Sequence, residues 1–107
     1  MRLPPALAAK ATEEIVRLLP PPPAVVLELG FAGIHAVPLR NGDYQVVVVE
    51  PDPDFLARAR ERADDAVSAV PAGRYDAVVA PEGADLAGVD AAHVILVRRD
   101  GTAYMRA

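Results

Sequence analysis

The stretch Val25-Val26-Leu27-Glu28-Leu29-Gly30-Phe31-Ala32-Gly33 decides the fold. Its first five residues form a short apolar run with β-branched side chains, which is how a strand covered on both faces reads. Gly30 and Gly33 then let the backbone turn sharply and approach a ligand, because neither carries a side chain. A second run, Val46 to Val49, ends in Glu50, 20 residues after Gly30. A strand, a glycine loop and a second strand closing on an acid make the mononucleotide half of a doubly wound fold. Ligands of that fold sit outside the carboxyl ends of the strands, where Glu50 is placed to accept hydrogen bonds from two ribose hydroxyls.

Outward from this core, Ala77 to Ala80 and Val94 to Val97 are further apolar runs without polar alternation. Together the four runs predict an α/β fold, a mostly parallel, doubly wound sheet between helices. Asp52-Pro53-Asp54 is a helix start, with an N-cap, a proline at the first position and an acid at the positive end of the dipole. Phe55, Leu56, Ala59 and Ala63 mark the buried side of that helix, and Val67 to Val70 is a candidate short edge strand. Arg99-Asp100-Gly101 favours a tight hairpin turn, so Thr102 to Arg106 should return antiparallel beside the fourth run. Upstream, Pro4-Pro5 suits a first helical turn, and Leu7, Ala8, Ala11, Ile15, Leu18 and Leu19 recur at helical spacing until Pro20 to Pro23 stop the helix. No internal repeat is visible. The expected organisation is a single Rossmann-like domain over 1–107, with an N-terminal helix and proline connector in 1–23 and the sheet core in 24–107.

Composition narrows the function. The 107 residues are 52% hydrophobic and 24% charged, an ordinary globular balance that leaves room for one core. The net charge is −4 with no lysine or arginine cluster, which argues against duplex nucleic acid as a partner. Arg58, Arg60 and Arg62 spread around a helix and read as a solvated surface. With no cysteine there is no disulfide, thiolate metal site or cysteine nucleophile. His35 and His93 are too few for a zinc set, so no metal is expected. No apolar run approaches the ~18 residues of a membrane span. The first residues lack the apolar core of a signal peptide, and a cytoplasmic location is the expectation.

Glu28-Leu29-Gly30-Phe31-Ala32-Gly33, Val47-Val48-Val49-Glu50 and the helix Phe55-Leu56-Ala57-Arg58-Ala59-Arg60 resemble the Rossmann-like S-adenosylmethionine-dependent methyltransferases. Gly73-Arg74-Tyr75-Asp76-Ala77-Val78-Val79 is similar to the approach to that family's fourth strand. The resemblance spans residues 24 to 98. It implies that the cofactor is S-adenosylmethionine or its demethylated product, with Glu28, Gly30, Ala32 and Gly33 around the methionine part. Glu50 would then hold the ribose, and Pro51-Asp52 would lie along the adenine. Phe31 would stack on the cofactor or fill its space. The family's closing antiparallel strand resembles the hairpin here, with the intervening strand and helix missing. Ala80-Pro81-Glu82-Gly83 stands where amino-group methyltransferases of the family carry an Asn/Asp-Pro-Pro-aromatic motif, and of that motif only Pro81 is present.

The residues themselves leave alternatives open. A carboxylate at the head of the loop repels a pyrophosphate, so Glu28 favours an adenosylmethionine-type ligand over a dinucleotide. Equally, Glu28 could cap a neighbouring helix, and Glu50 could be a solvated strand end. Pro38 removes a backbone donor soon after the loop, so the next helix should be one or two turns long or kinked, with an intrahelical bond lost. Glu82 is a candidate general base or a solvated turn carboxylate, and His35 is a site candidate or a packed side chain. The second functional class is a non-catalytic interaction domain, pairing with a copy of itself or a partner protein through the exposed C-terminal edge strand.

Overall fold

The computed structural model describes residues 1–106. Helix α1 spans Pro5–Leu18, then β1 Val25–Leu29, α2 Ala36–Asn41, β2 Gln45–Val49, α3 Pro53–Arg62, β3 Asp65–Val67, β4 Arg74–Pro81, β5 Asp90–Val97 and β6 Ala103–Met105. The strands form one sheet in the order β3-β2-β1-β4-β5-β6. All neighbouring pairs are parallel except β5 and β6, which are antiparallel. This is the expected doubly wound order, with the chain jumping from the β3 edge back to β4 beside β1. The antiparallel hairpin closes the sheet as expected, through Arg98 N donating to the Thr102 carbonyl at 2.8 Å.

Local chemistry fixes the boundaries. Pro5 opens α1, and its Ala11 and Ile15 are fully buried. Asp52 caps α3 by accepting from Asp54 N at 3.0 Å. Two acids satisfy N–H groups at the starts of neighbouring strands: Asp76 accepts from Val25 N, the first residue of β1, and Asp64 from Val46 N, the second of β2, each at 2.7 Å. The edge strand departs from the expected Val67 to Val70. It occupies Asp65–Val67, in register with Val47 to Val49, because α3 ends at Arg62 and the short link through Asp64 enters the sheet at once. His93 lies within β5.

The helices stand on one face only. Buried residues of α1, α2 and α3 share a cluster with Val26, Val46, Val48, Ala77 and Val79. The opposite face centres on Leu27, Val47, Val49, Tyr75 and Val78, and no helix residue belongs to it. The segments after β3 and after β4 cover it instead, through half-buried Val70, Leu86 and Val89. Those links are too short for a crossover helix, so the sheet expected between helices has them on a single side. Among the described residues, no helix is long and apolar enough to cross a membrane.

Candidate functional site

The loop after β1 is a run of left-handed turns, with φ of +78° at Gly30, +54° at Ala32 and +81° at Gly33. A Cβ on Gly30 would stand 2.8 Å from Cγ and Cδ of Pro81, so the loop presses against the end of β4. A Cβ on Gly33 would meet Ala59 of α3 at an ordinary 3.5 Å. Helix α2 has six residues, within the expected one to two turns. Pro38 breaks nothing in it, contrary to expectation. It is the third helical residue, in the turn whose N–H groups have no intrahelical acceptor, and the first i→i−4 bond is Leu39 N to the His35 carbonyl at 3.2 Å.

Glu28 points away from the ligand side. It is fully buried, and Oε1 accepts from the backbone N of His35 at 3.0 Å, the residue that opens α2. Oε2 is buried without a partner. Desolvation pushes this carboxyl up from 4.5 to about 7, against smaller opposing contributions from that N–H and from the charge of Arg62. His35 is equally buried, with its ring edge-on to Phe31 at 4.7 Å between centroids. Thr12 Oγ1 donates to the Ala8 carbonyl at 3.0 Å and therefore accepts from His35 Nδ1 at 2.8 Å. That leaves the lone pair on Nε2, which has no partner. Burial lowers the imidazole from 6.5 to about 4. His35 is thus a packed side chain, and Glu28 acts as the helix cap that was one of its two readings.

Above the loop, at the carboxyl ends of the strands, lies a cavity of about 600 Å³, within the usual size of small-molecule sites. Of the expected site residues, Gly30, Phe31, Ala32, Glu50 and Pro51 line it, while Glu28, Gly33 and Asp52 do not. Gly33 packs against α3, and Asp52 serves as the α3 cap. Phe31 is 2% exposed and anchored in the core, so it forms a wall and leaves the space above it open. Glu50 is mostly buried and uses Oε1 to accept from Asp52 N at 2.9 Å. Among the described residues Oε2 accepts no hydrogen bond, so one carboxylate oxygen remains for a ligand.

Three features of the cavity were not expected. Phe55, assigned to the buried side of α3, is 39% exposed and forms part of the wall. Arg58 and Arg62, read as a solvated surface, also line it. The sequence did hold a signal: positions 55, 58 and 62 share one helical face. Finally, Met1, Arg2 and Leu3 lie beside the loop, with the Met1 amine donating to the Gly30 carbonyl. The same three residues line a second hollow of about 400 Å³ with Pro81, Glu82 and Arg99. Glu82 is held rather than free in solvent: Tyr104 Oη donates to it at 2.6 Å, and Arg98 stands 3.7 Å from the same oxygen and over the Tyr104 ring.

No protein-family model matches the sequence, and no curated protein is significantly similar to it. The fold does have solved relatives. One is the crystal structure of a "putative Methyltransferase" from Pseudomonas syringae, superposing with a TM-score of 0.57 at 19% identity. The match covers 84% of this chain and 72% of that one. The chain therefore has a methyltransferase-like α/β fold.

Proposed function

We propose that this domain binds S-adenosylmethionine, or the S-adenosylhomocysteine left after methyl transfer, in the cavity over Gly30 to Ala32. The observation that carries the reading is Glu50: a mostly buried carboxylate at the end of β2 that lines the cavity, with Oε1 held by Asp52 N and Oε2 accepting no hydrogen bond among the described residues. That is the arrangement a ribose diol needs. Phe31, Ile34, Pro51 and Phe55 offer the apolar walls that suit an adenine. The bound cofactor would supply an electrophilic methyl group, and the hollow beside Glu82 is the place for an acceptor. Isothermal titration with S-adenosylhomocysteine tests this. Binding in the micromolar range is expected, weakened at least tenfold by Glu50→Ala with the circular dichroism unchanged. No heat and no thermal shift at millimolar ligand would refute it.

The helix-free face of the sheet favours a second reading, an interaction domain. Val25, Leu29, Val67 and Val94 are only half buried there, and β6 leaves the sheet with an edge ending at exposed Met105. Such an edge can pair with a second copy or with a partner protein. Light scattering showing a strict monomer at high concentration would exclude self-pairing.

A further inference from the structure

We propose that Arg58 and Arg62, with Arg2, form an anion subsite that holds a carboxylate or phosphate group of the molecule filling the cavity. The chain as a whole is acidic, with 15 acids against 11 lysines and arginines. The cavity inverts that balance: three arginines line it, and Glu50 is its one carboxylate. The ion pairs of the described residues lie elsewhere, at Arg17, Arg40 and Arg98, so none of the three cavity guanidiniums has a carboxylate of a described residue within 4.0 Å. Arg58 and Arg62 stand one turn apart on α3, the helix packed under the glycine loop through Ala59 and Gly33. Arg62 is half buried, and Arg58 is 5.9 Å from the centroid of the Phe55 ring, itself part of the wall. Two guanidiniums at this spacing present planar donor forks, the geometry that matches carboxylate and phosphate oxygens in pairs.

Glu28 lies outside the cavity, and at about 7 its carboxyl is partly protonated near neutral pH, so it offsets the charge of Arg62 only in part. The inference deepens the cofactor reading. The anion is either the amino-acid carboxylate of the cofactor or an acidic group on an acceptor that reaches into the cavity from the adjoining hollow, which shares Met1, Arg2 and Leu3 with it.

The test compares S-adenosylhomocysteine, 5′-methylthioadenosine, which has the nucleoside thioether without the amino acid, and inorganic phosphate. Each is titrated into the full chain and into R58Q/R62Q, with R60Q/R106Q as a control that removes equal charge outside the cavity. If the cofactor supplies the anion, R58Q/R62Q binds S-adenosylhomocysteine at least tenfold more weakly while methylthioadenosine binding is unchanged. If the acceptor supplies it, S-adenosylhomocysteine binding is unchanged. Millimolar phosphate then raises the melting temperature of the wild type and the control but not of R58Q/R62Q. Wild-type behaviour of R58Q/R62Q in every titration, or an equal loss in the control, overturns the subsite. The cofactor reading fails separately: neither nucleoside binds the wild type, whatever phosphate does.

Discussion

Glu28 and His35 make a testable pair, because burial displaces them in opposite directions. The folded carboxyl sits at about 7 rather than 4.5, so the folded state holds its proton more tightly than the unfolded chain. Its contribution to stability is complete below pH 4.5 and is lost as the pH rises to 7. The folded imidazole sits at about 4 rather than 6.5, so its contribution is complete above pH 6.5 and is lost as the pH falls to 4. Each displacement covers roughly 2.5 pH units, about 3 kcal/mol at ~1.36 kcal/mol per unit. Between pH 4.5 and 6.5 one group gains what the other loses, and the pair leaves stability nearly flat, within about 1 kcal/mol from pH 5 to 8. Removing either partner uncovers the other. Glu28→Gln keeps an acceptor for His35 N but cannot ionise, and its stability relative to wild type should rise by about 2 kcal/mol from pH 5 to 7. His35→Gln should do the reverse, its stability relative to wild type falling by about 2 kcal/mol from pH 5 to 8. Urea denaturation followed by circular dichroism at unit pH steps reads both slopes, each well above the error of the midpoint. Parallel profiles for the three proteins, or slopes of one sign in both variants, would refute the reasoning.

The loop glycines should separate by what surrounds them. Gly30→Ala meets both a positive φ and Pro81 carbons at 2.8 Å, so it should cost about 2–4 kcal/mol and reshape the cavity floor. Gly33→Ala, with a similar φ but ordinary contacts, should cost about 1–2 kcal/mol, and thermal melts that reverse this order would contradict the packing of the loop on β4. Phe31→Ala removes a core side chain and should destabilise by about 3–5 kcal/mol in chemical denaturation. A loss below 1 kcal/mol would mean that the ring is a cavity filler instead.

The fold was legible where side-chain chemistry punctuates the chain. Val25 to Leu29 is bounded by prolines and Gly30, and the strand begins and ends on the expected residues. Asp52-Pro53 likewise fixes the first turn of α3, because a cap and a locked φ act locally. The coverage of the sheet was not legible from apolar runs. Leu27 and Val78 are fully buried although no helix lies over them, since Val70, Leu86 and Val89 from short links do the covering. A run reports burial and not the identity of the cover. The length of the links was the available signal: six residues after Val67 and eight after Pro81 cannot hold a crossover helix and its turns.

The site was legible by element and not by side chain, and strand pleating explains the difference. Val26 and Glu28 point to one face because they are two residues apart, and Val26 belongs to the helix-covered cluster. Glu28 therefore faces the helices, and there its Oε1 accepts from His35 N at the start of α2. Glu50 has the same parity as Val46 and Val48, and its N still donates to the Val67 carbonyl at 2.8 Å, but it stands one residue beyond β2, where it lines the cavity beside α3. The Glu28 charge therefore does not disfavour a pyrophosphate in the cavity, contrary to expectation. The carboxyl is outside the cavity, and at about 7 it is partly protonated near neutral pH. What faces the ligand is one carboxylate suited to hydroxyls and three guanidiniums suited to an anion. An adenosylmethionine-type ligand satisfies both through its ribose and its amino-acid carboxylate. On the proposed reading, selectivity in this cavity would rest on α3, a helix that the glycine-loop pattern does not include.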